Sequence, residues 1–148
     1  MQITRRTEYA IRTLIELSKV PPGTILQTRD ISQKQDIPEV FLTKTIQLLA
    51  RAGLVTTQRG SHGGVYLAVS PDKITIADVL TVTEGKLGLN VCLTESGYCP
   101  NMAFCPVHRV LKRAQEAMLA ELKKETFADL VADQQPVAAN NNKREEVN

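Results

Sequence analysis

Apolar positions at the start of the chain recur at helical spacing. Ala10, Leu14 and Leu17 share one face, and Ile11 and Ile15 widen it, so a helix is predicted over residues 5–19. Pro21-Pro22-Gly23 ends it. Ile25 and Leu26 read as a short extended piece. Thr28 is placed to N-cap a second, short helix reaching about residue 35, its hydroxyl accepting from an otherwise unpartnered amide. Asp36-Ile37-Pro38 then breaks the chain. Pro38 suits the first turn of a third helix that continues to about residue 52. Leu42, Ile46 and Leu49 mark its buried stripe, and Gly53 its left-handed cap.

From there the period changes. Residues 54–59 read as a strand, Gly60-Ser61-His62-Gly63-Gly64 as a turn, and the alternation of Val65, Leu67 and Val69 as the returning strand. Thr75 can cap a further helix over residues 76–83, with Ile76, Val79 and Leu80 facing the core. Residues 85–101 are irregular and glycine-bearing. The longest helical pattern follows, over residues 106–126. Val107, Leu111, Ala114, Met118 and Leu122 step by four, three, four and four, while Arg109, Lys112, Arg113, Glu116, Lys123 and Lys124 fill the other faces. So narrow a seam resembles a coiled-coil edge that a partner helix would cover in a homodimer. Packing on the same chain is the plainer alternative. Beyond about residue 133 no apolar period remains, and a disordered tail is expected.

The expected fold is mainly α with one small β-hairpin. A winged helix-turn-helix DNA-binding domain spans residues 1–84, a loop residues 85–105, a dimerisation helix and C-terminal segment residues 106–132, and the tail residues 133–148. A length of 148 residues accommodates this as one ordinary domain with an extension, and 4% aromatic residues with no Trp point to an aliphatic core. The chain contains no apolar run of the roughly 18–20 residues that a membrane span needs. No secretory h-region is visible either, so a cytoplasmic protein is expected.

Charge sharpens the DNA reading. Residues 1–64 carry a net +4 and residues 65–148 a net −2. If Leu42, Ile46 and Leu49 face the core, Glu39, Val40, Thr43, Lys44 and Gln47 face outward, where side chains meet base edges or phosphates. Arg59 and His62 lie by the small turn that would form the wing, where an Arg is drawn to a narrow minor groove. Arg5, Arg6, Thr28 and Arg29 are candidates for backbone phosphates. An ordinary solvated helix face would explain each of them singly.

Every cysteine of the chain lies in one stretch, as Cys92-x6-Cys99-x5-Cys105-x2-His108. A cytoplasmic setting keeps such thiols reduced and favours metal or redox chemistry over disulfides. The paired Cys-x2-Cys knuckles of structural zinc sites are missing, and the longer gaps suit an iron–sulfur cluster gripped by a loop. Zinc, a redox thiol switch and inert small hydrophobes remain open on spacing alone. No nucleophile elbow, phosphate-binding loop or HExxH pair is present, so no enzyme is indicated.

Several stretches together resemble the iron–sulfur winged-helix repressors of the IscR/NsrR family. They are ITRRTEYAIRTLIELS, DIPEVFLTKTIQLLARAGLVTTQRGSHGGVYL with its RG-x-x-GG turn, ITIADVLTVTEG, and the three-cysteine loop with the helix after it. The resemblance covers about residues 1–132. It implies a homodimer on a palindromic double-stranded DNA operator, with long helices crossed at the interface. It implies that Cys92, Cys99 and Cys105 ligate an iron–sulfur cluster, 2Fe–2S favoured and 4Fe–4S possible. His108 falls where the assembly-regulator branch places its fourth ligand. Glu8 of the partner subunit, at the position used by the sensor branch, is the alternative. The implied function is that of a transcriptional repressor responding to redox state, nitric oxide or iron–sulfur status. The rivals are a zinc-stabilised or thiol-switch DNA-binding protein without a cluster, and a cluster carrier whose basic face only docks a partner.

Overall fold

The computed structural model describes residues 3–94 and 97–134. Its elements run α1 (Arg5–Ser18), α2 (Thr28–Gln35), α3 (Glu39–Arg51), β1 (Val55–Gln58), β2 (Gly64–Leu67), α4 (Ile76–Glu84), α5 (Pro106–Leu122) and α6 (Phe127–Ala132), with short 3-10 turns at Pro71–Lys73 and Val91–Leu93. None of the described helices is long and apolar enough to cross a membrane.

The core is the convergence of the predicted stripes. Ala10, Leu14 and Leu17 of α1, Ile31 of α2, Leu42, Ile46 and Leu49 of α3, Val55 and Val65 of the hairpin and Val79 of α4 are all buried together. Thr4 caps α1 through a bond from the Thr7 amide. The end of α3 is a Schellman motif: Gly53, at φ 75°, donates to Ala50 O at 3.0 Å, and Leu54 donates to Leu49 O at 3.0 Å.

The hairpin is antiparallel, with Val55 opposite Leu67 and Gln58 opposite Gly64. Its two adjacent glycines answer to space. A Cβ on Gly63 would sit 2.2 Å from the Gln58 carbonyl oxygen, and one on Gly64 2.2 Å from that of Leu26. Leu26 also exchanges both backbone bonds with Val65, each 2.9 Å, which ties the segment before α2 to the hairpin edge.

That tie corrects one expectation. Thr28 does not cap α2. The chain stays extended along Val65 until Gln27, which takes the N-cap position with no side-chain bond, and Thr28 becomes the first helical residue. Likewise Pro38 stands at the N-cap of α3 rather than inside its first turn, and Val69 lies beyond the end of β2.

The larger difference is at the C-terminal end. The predicted helix over residues 106–126 stops at Leu122, with Lys123 as its C-cap. Thr126 and Asp129 then form a reciprocal capping box that starts α6. Phe127 is fully buried, and its amide donates to Ile74 O at 2.8 Å. Thus α6 returns to pack on α1 and on the turn at Pro71–Lys73. The expected disordered tail lies, from residue 135 on, outside the described residues.

Candidate nucleic-acid interface and cysteine site

The outward face of α3 carries the residues expected there. Glu39, Val40, Thr43, Lys44 and Gln47 are exposed, while Thr45 joins Leu42, Ile46 and Leu49 in the interior. The Thr43 hydroxyl donates to Glu39 O at 2.8 Å, so it meets a ligand as an acceptor and through its methyl group. Between this face, the start of α2 and the wing lies a groove of about 420 Å³, bordered by Thr28, Arg29, Thr43, Gln47, Gly60 and Ser61. On the other side of α3, a groove of about 630 Å³ is bordered by Arg5, Arg6, Tyr9, Phe41, Lys44 and Arg51. Arg59 and His62 are exposed at the wing tip, where His62 Nδ1 stands 3.1 Å from the Ser61 hydroxyl.

Two of the cations are partly engaged. Arg5 pairs with Glu8 at 3.1 Å, and Arg6 donates to the Thr83 carbonyl. Phe41 and Arg51 escaped the sequence reading. Phe41 is 53% exposed although it adjoins Leu42 of the core stripe. Its position one residue off that stripe was the available signal.

Two of the three cysteines, Cys92 and Cys105, meet His108 at the head of α5. Cys105 is the N-cap, its sulfur accepting from the His108 amide at 3.4 Å. Cys92 comes from the 3-10 turn at Val91–Leu93, and its sulfur lies 3.4 Å from His108 Nδ1. Cys99 stands on the intervening loop, and all three thiols are free and half-buried. The donors suit an iron–sulfur cluster in kind, being three soft sulfurs and an imidazole on one loop and one helical turn. Among the described residues, no three His, Cys, Asp or Glu side chains form a set able to hold a single metal ion. Glu8 lies on the outer face of α1, held between Arg5 and Arg12, with its side chain 34% exposed.

A polar seam links the end of α4 to the head of α1. The hydroxyls of Thr7 and Thr83 meet at 2.6 Å in the interior, and Glu84 accepts from both Thr4 and Thr7. Those hydroxyl donors, with the Arg6 charge, outweigh partial burial and hold the Glu84 carboxyl below its ordinary value. The half-buried Leu111, Met118 and Leu122 of α5 belong partly to the same chain: Met118 and Leu122 border a cavity of about 460 Å³ with Leu80, Leu87 and Ile3. Val107 and Ala114 point outward, as does Val110, which the predicted seam omitted.

An exposed helix beside a glycine-tipped hairpin is the arrangement by which winged-helix proteins enter the major groove. Solved structures share it over nearly the whole chain. CymR, described as the global cysteine regulator of B. subtilis, is 26% identical with a TM-score of 0.70, covering 91% of this chain and 99% of that one. IscR of T. potens is 24% identical with a TM-score of 0.73, covering 91% and 89%. The class is therefore that of the winged-helix DNA-binding transcriptional regulators. Protein rrf2 of Nitratidesulfovibrio vulgaris is 33% identical over 133 residues, 90% of this chain and 89% of the relative. The Rrf2 family model, described as an iron-dependent transcriptional regulator, matches residues 3–133, and the chain belongs to that family.

Proposed function

We propose that this regulator is a homodimeric repressor of a palindromic operator, and that an iron–sulfur cluster held by Cys92, Cys99, Cys105 and His108 sets its affinity. One observation carries the reading: Cys92, remote from α5 in sequence, is drawn to 3.4 Å from His108, one turn from Cys105. The iron dependence in the family description supports it. A bound cluster supplies a centre sensitive to redox state, nitric oxide or iron–sulfur supply.

The chain's own residues transmit the state of that loop. Gln115 Oε1 of α5 accepts from the Leu89 amide at 2.9 Å, fastening the loop to the helix. Met118 and Leu122 face Leu80 and Glu84 at the end of α4. Glu84 is bonded to Thr4 and Thr7 at the head of α1, and the neighbouring Arg5 borders the groove beside α3. A shift of the loop therefore reaches the reading helix through packed neighbours. In a dimer the half-sites lie about 34 Å apart, and a change in that separation breaks several phosphate contacts at once.

Anaerobic purification with iron and sulfide analysis, followed by duplex binding of cluster-loaded and cluster-free protein, tests this. Loaded protein should be brown and lose colour in Cys92→Ala and His108→Ala. Colourless, iron-free protein after reconstitution overturns the cluster. Equal binding by the two forms overturns the switching. The contact of both Cys92 and Cys105 with His108 also favours a second reading, a thiol switch without a cluster. That reading predicts iron-free protein whose duplex binding changes with peroxide and reverts with dithiothreitol.

A further inference from the structure

Two large apolar side chains stand in solvent at the leading end of α3. Val40 is 66% exposed and Phe41 53%. Single exposed apolar residues are common, but these are adjacent, and the rest of that face is Glu39, Thr43, Lys44 and Gln47. Phe41 is also held in place. Its ring leans on Tyr9 of α1, centroids 6.2 Å apart and planes tilted by 40°, so it stands on a rigid support.

Cations lie near the pair, and Phe41 shares the groove toward α1 with several of them. Arg29 borders the groove toward the wing, and Lys44 and Arg51 border the groove toward α1. Such cations draw the phosphate backbones, which leaves the uncharged tips of Val40 and Phe41 beside them for base edges. The apolar group that a base pair presents in the major groove is the C5-methyl of thymine. We propose that Val40 and Phe41 read thymine methyl groups in each operator half-site, making them determinants of sequence preference. This rests on the DNA-binding reading above. It assigns a specific base chemistry to a surface that phosphate contact alone would leave unexplained.

The probe is a duplex recovered by the full-length protein, purified without oxygen, from a randomised library, then resynthesised with deoxyuridine at one thymine at a time. That substitution removes the methyl and nothing else. At one or two thymines per half-site, uracil should weaken wild-type binding about fourfold, the factor associated with burying one methylene-sized group. Phe41→Ala or Val40→Ala should bind the thymine duplex more weakly and lose the uracil penalty at the matching position, the non-additivity expected of a direct contact. Phe41→Leu, which keeps an apolar tip, should retain part of the penalty. Circular dichroism with wild-type helical content and a cooperative urea transition in all three variants shows that they remain folded. Uracil tolerated at every thymine overturns the proposal, as does a full penalty persisting in both alanine variants. Failure to recover any duplex overturns the DNA-binding reading, and the methyl contact with it.

Discussion

Glu16 is only 6% exposed on α1, and its Oε1 accepts from Lys19 Nζ at 2.8 Å and from Gln35 Nε2 at 2.6 Å. Burial by itself would raise this carboxyl. The two hydrogen bonds, with the charges of Lys19 and Lys34, outweigh it and hold the group below its ordinary value of 4.5. A carboxyl depressed in the folded state stabilises the fold above its unfolded value, and that stability is lost as pH falls through the folded value. The urea midpoint of the wild type should therefore fall as the pH drops below about 4.5. Glu16→Gln should cost about 1–2 kcal/mol at neutral pH and flatten the acid slope. At this scale much was legible. Gly53 was identified as a left-handed cap from its place after an apolar stripe, and Thr75 as an N-cap from its place before one. Thr28 does not take the cap that its position suggests because Leu26 pairs with Val65, a contact between residues distant in sequence.

Among the elements, α6 is the one that the pattern hid. The apolar steps of α5 continue smoothly to Leu122, so the helix was carried across Lys123-Lys124-Glu125. The break is signalled by the Thr126-x-x-Asp129 box, which starts a new helix whose short apolar run, Phe127-Ala128 and Leu130-Val131-Ala132, follows directly on that of α5. Phe127 matters most here, since it closes the core against α1 and Ile74. Phe127→Ala should lower unfolding free energy by about 3–5 kcal/mol, measured by urea titration. An unchanged midpoint would mean that α6 does not dock in solution. The hairpin was legible because its glycines and alternating valines are adjacent in sequence. The pairing of α5 residues with α4 was not, since the same stripe serves equally for a partner helix.

At the scale of the molecule, the coupling proposed between the cysteine loop and α3 runs through intermediates. The Gln115–Leu89 bond is the first of them. Gln115→Ala should leave cluster content unchanged and reduce the ratio of operator affinities, loaded to cluster-free, by about fivefold, the worth of one net hydrogen bond. Parallel visible spectra and duplex titrations measure both. The sequence alone determined which face of α1, α3 and α4 is buried, where most helices begin and end, the presence of a wing and the gathering of thiols into one stretch. Each of these is written in residues near one another along the chain, as period, cap or spacing. Tertiary structure decided that Cys92 meets His108, that α6 folds back, and that Phe41 leans on Tyr9 in solvent. Those facts depend on how separate elements share space, and local pattern is silent on which of several compatible neighbours a side chain will meet.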